Sequence, residues 1–344
     1  HSRFWRIAAG LLALLVLAVV LLAAGLWVWS GRSTSLATTL AQAARYLPSD
    51  QTLQTRDVSG SLRGGGTIGW LRWSNPTMAV EVDGARFGWS LAPLLQRSVK
   101  VGEVHADKVR IASTPNPDAP PPEPLQQLVL PVSIDLPFQI DLIEWAGPPL
   151  VEARALSGRY RYDRVQHTLK VDGVDLAQGH YSLDATLQAL APMALQATLD
   201  GQVRTDTPGS DQPLELSAHA EVNGTLATEA ARLQVLARLR PPEMNSINVM
   251  GEQNLAQAVT EAVTGKTAAA PANTMQADVR ADVAPWAPQP LVQASADLRA
   301  LNLAALWPQA PTTALEGSVQ AGPQEGGWQI GAQLRNDLPG PWDQ

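Results

Sequence analysis

The stretch YSLDATLQALAPMALQATLDGQV, residues 181–203, decides how the chain folds. Tyr181, Leu183 and Leu187 alternate with Ser182, Asp184 and Gln188, the chain turns at Pro192, and Leu195, Leu199 and Val203 then alternate with Thr198 and Gln202. A period of two sustained on both sides of a turn predicts a pair of strands with one dry face and one wet face. The pattern recurs downstream. In LELSAHAEVNGTL the residues Leu214, Leu216, Ala218, Ala220, Val222 and Leu226 share one parity. Met275, Ala277, Val279, Ala281 and Val283 repeat it, as do Val292, Ala294, Ala296, Leu298 and Ala300. Asp83-Gly84, Asp172-Gly173 and Asn223-Gly224 carry the residue pairs that close tight turns and are read as such. The segment LVLPVSIDLPFQIDLIEW bears apolar residues on both parities and supports strand character only.

An antiparallel sheet with one apolar face must bury it on a second sheet, on helices, or on something that is not protein. Only residues 245–273 read as helical within the strand region, as an insertion with Leu255, Val259 and Val263 at i, i+4 and i+8. Alternation alone admits both a β-sandwich and an open groove, since it says only that one face is dry.

Ahead of the strands lies IAAGLLALLVLAVVLLAAGLWVW, residues 7–29, without a polar side chain. At 1.5 Å per residue this is about 34 Å of helix, enough for a hydrocarbon core of about 30 Å. Its length, and its end at Trp27 and Trp29, favour an uncleaved anchor over a signal peptide. Ile7, Leu14 and Val20 mark the body of the span. Arg3 and Arg6 before it and Arg32 after it place residues 1–6 in the cytoplasm and everything beyond Ser30 outside. Residues 33–47 read as an amphipathic helix beside the membrane, with Ser33 or Ser35 as its cap and Pro48 as its stop. A first β module is expected over 53–113 and a Pro-rich break, TPNPDAPPPEP, at 114–124. A longer β region follows over 127–344.

Chemistry-bearing motifs are sparse. Net charge is −7, which argues against a nucleic-acid partner, and there is no cysteine. The five histidines are scattered and are read as lacking both metal-ligand spacing and a carboxylate neighbour on the same strand face. TGKT at 264–267 lacks the leading glycine of a phosphate loop, and GSLRGGGT at 60–67 is a turn. No catalytic residue, cofactor or metal is assigned, and the chain is not expected to be an enzyme.

The charged tip and single span, the helix ending in YLPSD, LQTRDVSGSLRGGGTIGWLRW, VEVDGARFGWSLAPLLQRSVKVGEVHADKVRI, GRYRYD and LNLAALWPQAP together resemble the TamB family. TamB is the inner-membrane subunit of the translocation and assembly module and is akin to AsmA-like bridge proteins. The resemblance implies a mainly β fold: a transmembrane helix followed by an elongated, twisted, open antiparallel repeating β-groove with short helical insertions. It implies that Tyr181, Leu183, Leu187, Leu195, Leu199, Val203, Leu214, Leu216, Val222, Val279, Val283 and Leu298 face phospholipid acyl chains. It further implies a bacterial inner-membrane, periplasmic protein that either conducts phospholipid or scaffolds outer-membrane barrel assembly. About 20 strand-like runs at about 4.8 Å would make a sheet of roughly 100 Å. The ending DLPGPWDQ leads to the expectation of a longer native chain whose C-terminal region meets the outer-membrane barrel subunit TamA.

Overall fold

The computed structural model describes residues 28–90, 98–113, 123–147, 150–205, 214–241, 275–303, 311–324 and 327–337. The chain divides into two compact units, one of residues 1–120 and 129–177, the other of 121–128 and 178–344. The expected span over 7–29 lies outside the described residues except for Val28 and Trp29, which stand in a helical turn at 28–30. No described helix is long and apolar enough to cross a membrane. The helical insertion expected at 245–273 also lies outside them.

In the first unit, helix α1 (Ser35–Tyr46) precedes strands β1 (Thr52–Ser61), β2 (Gly65–Ser74), β3 (Met78–Phe87), β4 (Trp89–Ser90) and β5 (Ser98–Val101). Strands β6 (Val104–Ser113), β7 (Ser133–Ala146), β8 (Val151–Tyr162) and β9 (Gln166–Leu176) complete it. The sequence reading of α1 holds within two residues at each end, but neither serine caps it: the residue before the helix is Thr34, with no side-chain cap bond. Ser35 is instead buried, shares its hydroxyl proton between the carbonyls of Ser30 (3.0 Å) and Arg32 (2.8 Å), and accepts the Leu62 N–H at 2.9 Å. This fastens the helix start to the β1–β2 turn.

The sheet of this unit runs β1-β2-β3-β6-β7-β8-β9. Its β6–β7 and β5–β7 pairs are parallel, contrary to the expected all-antiparallel order. Nineteen residues, 114–132, separate β6 from β7, a length sufficient for the crossover that a parallel pair requires. The chain changes unit at 120/121, within the Pro-rich stretch, returns at 128/129 and changes again at 177/178. Residues 125–128 join the second unit through Leu128 N–H to Ala189 O (2.8 Å) and Thr228 N–H to Leu125 O (2.8 Å).

Asp57, Gly69, Gly84, Asp107, Asp141 and Ala155 fall on one line across β1, β2, β3, β6, β7 and β8, where the ladder pairs are interrupted while the register is kept. Three of them are left-handed: Asp57 at φ 53°, Gly84 at 64° and Ala155 at 51°. Apolar residues change parity across this line in each strand, for example Val80 and Val82 against Ala85 and Phe87, or Phe138 and Ile140 against Ile143 and Trp145. Asp83-Gly84 is thus a kink inside β3 and not a hairpin turn. Asp172-Gly173 likewise lies within β9, at a register shift against Ser157 and Gly158, and Asn223-Gly224 within a strand of the second unit. The glycine in each pair supplies freedom that a kink or irregularity uses as readily as a turn does.

The second unit is an eight-stranded antiparallel meander: β10 (Gly179–Gln188), β11 (Ala194–Thr205), β12 (Leu214–Thr225), β13 (Arg232–Arg240), β14 (Gln276–Val283), β15 (Leu291–Leu301), β16 (Leu315–Gln324) and β17 (Gly327–Asn336). The expected alternation of β15 holds from Ala294 to Leu298, but a register shift at its start sets Leu291, not Val292, opposite Val283. A bulge at Ala300 (φ 48°) then places Leu301, not Ala300, opposite Leu315.

Gly84→Ala should destabilise the first unit by about 1–2 kcal/mol, the cost of a side chain in the left-handed region. A Cβ at this position would also collide with the Asp107 carboxylate. A urea denaturation midpoint equal to that of the parent chain would refute the kink.

Candidate functional site

Directly opposed residues in an antiparallel ladder share a face, so the register of the second unit sorts every side chain. One complete row reads Leu183, Leu199, Ala220, Ala237, Val279, Ala296, Val319 and Ala332 from β10 to β17. The next reads Ala185, Ala197, Val222, Val235, Ala281, Ala294, Ala321 and Ile330. The third reads Tyr181, Gly201, Ala218, Leu239, Ala277, Leu298, Gly317 and Leu334. Apart from the Tyr181 phenol, the three rows carry no polar side-chain group. Leu187 opposes Leu195, Val203 opposes Leu216, Leu214 opposes Thr205, and Leu233 opposes Val283, all at positions of the same face. The twelve lining candidates thus occupy one side of the sheet.

This side is half-buried. Among the described residues each strand of the unit packs against its sheet neighbours and no second layer crosses the face. At about 4.8 Å per strand and 6.6 Å per row the three rows cover roughly 700 Å², more than the largest apolar patch of an ordinary monomer. Along one end Leu216, Met275, Ala277, Leu301 and Leu315 form a buried cluster with Val203, Leu239 and Leu298 packed on it. Tyr181 lies over two glycines: a Cβ on Gly179 or Gly201 would run into its ring. Burial pushes its phenol above the ordinary value. At the far edge Ile330 is 68% exposed.

Sequence reasoning missed β13. Val235 belongs to the apolar side, but Leu236 follows it on the other side, which blurs the alternation of RLQVLARLR. β17 was also missed, although Trp328, Ile330 and Leu334 alternate.

The opposite side is polar, with Leu236 as its single large apolar residue in these rows, and its ion pairs follow the same register. Arg240 grips both oxygens of Asp278 at 2.6 and 2.7 Å, and Arg204 pairs with Glu215. The reading that no histidine has a carboxylate neighbour on its own face is overturned twice. His219 Nδ1 lies 2.7 Å from Asp200 and Nε2 lies 3.0 Å from Glu221, because cross-strand pairing places Asp200 beside it. In the first unit His105 Nε2 lies 3.2 Å from Asp107 and 3.2 Å from Asp141. The ligand atoms of those three residues fall within 4.8 Å of one another, but Arg86 already supplies a cation to the same Asp107 oxygen at 3.0 Å.

The fold and this surface define a class: an open β-sheet protein that keeps one continuous apolar face and one charged face. Residues 21–146 match the family model described as TamB, N-terminal domain. The match ends where β7 ends. No curated protein and no solved structure matches the chain.

Hydrogen bonding to Asp200 first, and to Glu221 second, raises the His219 pKa above its ordinary value. A raised folded pKa makes a stabilising contribution that is complete below the unfolded pKa of about 6.5 and is lost as pH rises through the folded value. Melting temperature should therefore fall between about pH 6 and pH 9 by more in the parent chain than in His219→Gln. Identical pH profiles would refute the linkage.

Proposed function

We propose that the apolar side of the second unit receives phospholipid acyl chains and conducts them between the inner and outer membranes of a bacterial envelope. The observation that carries this reading is the three unbroken apolar rows over eight strands, with no second layer on them among the described residues. Acyl chains suit such a surface because they bury it by area alone and need no hydrogen bond from it. Small residues on the rows, mostly Ala, Val and Leu, leave room for tails. The TamB N-terminal domain supports a part in envelope biogenesis at the level of the family. In this reading residues 7–29 anchor the chain in the inner membrane, residue 1 is cytoplasmic and the sheets are periplasmic. Association with TamA belongs to the same reading, at the level of the family. A second reading, a tethered scaffold for outer-membrane barrel proteins, is favoured by β17, which pairs with β16 alone among the described residues. Among the described residues no strand lies on its other edge, which could then add one.

A photo-crosslinker at Leu183 or Leu199 should capture phospholipid in cells, and one at Asp184 or Thr198 should not. Equal capture on both parities would sink the conduit. Leu187→Arg should abolish lipid transport while costing less than about 2 kcal/mol of stability, because the site is half-exposed.

Topology is tested separately by cysteines placed at Ser2 and Ser49. In intact spheroplasts an impermeant thiol reagent should label position 49 and spare position 2. The reverse pattern would contradict the anchor orientation.

A further inference from the structure

The polar side of the second unit is not uniform. Ion pairs such as Arg204–Glu215, Arg240–Asp278 and Arg335–Glu316 mark most of it, but one patch of β13–β17 is dominated by amides and glycines, around a half-open hollow of about 750 Å³. Two registered rows line it. The first runs Leu236, Arg280, Ser295, Gln320 and Gly331. The second runs Gln234, Asp282 and Gln293, with the Gly322–Gln329 pair beside them. The hollow lies wholly within one unit; most of its lining belongs to the polar side, and Val235, Ala281, Ala294 and Ala321 of the second apolar row border it from between those positions.

Three features say what would fill it. Charge comes first: one Arg and one Asp leave the lining neutral, so it does not select a polyanion. Arg280 has no ion-pair partner among the described residues, whereas Arg240 and Arg335 on the same side are paired. The second feature is hydrogen bonding. Four glutamines, Ser295, Arg280 and Asp282 offer mixed donors and acceptors, and Gln293 already donates to Asp282. The backbone groups between the rows are spent in the ladder, so a ligand must be read by side chains alone. The third is shape. Five strands at about 4.8 Å make a trough roughly 19 Å long with about 6.6 Å between rows. Its floor is bare at Gly331, where an added Cβ would meet nothing within 4 Å. Leu236 gives it one apolar spot.

We infer that this trough binds a neutral glycan segment of about four pyranose units. Vicinal hydroxyl and acetamido groups match amide, carboxylate and guanidinium partners, and a sugar's C–H face suits the Leu236 side chain. An extended peptide fits less well, because it would need apolar pockets for side chains or a free sheet edge for its backbone. This inference does not depend on the lipid reading.

The test uses the full chain in detergent, titrated calorimetrically with a β-1,4-linked N-acetylglucosamine tetramer, with maltotetraose, and with an uncharged polar heptapeptide. Saturable binding of either tetrasaccharide is expected, weakened at least tenfold by Gly331→Trp, which fills the trough without displacing protein atoms. Gln320→Ala should weaken it as well. Both variants should keep the parent's melting temperature and the Leu183 lipid crosslink. Absence of binding by both sugars, binding that survives both substitutions, or Gly331-sensitive binding of the peptide alone would each overturn the inference.

Discussion

Everything in the second unit depends on register. Each of its ladders keeps the apolar parity of one strand against that of the next, and a slip of one residue in a single strand would turn that strand's Leu and Val to water and its Asp and Arg to the dry side. Short connections such as the one between β10 and β11 help to enforce this order. β10 and β11 are joined by five residues, of which Ala189 and Met193 are fully buried, so the turn itself is packed and cannot drift. The buried cluster around Leu216, Met275 and Leu315 pins the opposite end of the strands.

Such a sheet cannot be held together in the manner of a sandwich. With no second layer among the described residues, its large side chains stay half-exposed, and the backbone ladder must carry more of the stability than in a two-layer fold. The charged side adds little energy per pair, since surface ion pairs are worth at most about 1 kcal/mol each. Its larger contribution is discrimination: Arg204 against Glu215 and Arg240 against Asp278 oppose like charges in any shifted pairing. A chain without cysteine has no covalent staple to fall back on. The same design leaves the dry side open to a non-protein occupant whose binding would add to the stability of the fold.

Alternation made the meander legible in the sequence. Leu183, Leu199, Val222 and Val279 could be placed on one side from parity alone, because in an uninterrupted strand parity and side are the same thing. Where a strand breaks its own pattern the reading fails, and the failures have local causes. Asp83-Gly84 looks like a turn because the residues that close turns are those that permit a left-handed kink. Leu236 hid β13 by sitting on the polar side next to Val235. The crossover that returns β7 parallel to β6 left no signature except the length of a Pro-rich connection. Asp200 beside His219 and Asp141 beside His105 come from neighbouring strands, which no single strand read alone announces, whereas Glu221 and Asp107 stand two residues along the histidines' own strands.

The line of kinks through Asp57, Gly84 and Ala155 bears on how the first unit can change over time. Each strand there is two half-strands of opposite parity joined at a common seam. Loss or gain of one residue between the seam and the next turn would invert half of one strand while its neighbours stayed in place. Length at the seam can therefore drift only if six strands drift together, and the heritable unit of this sheet is the row across it, not the strand along it.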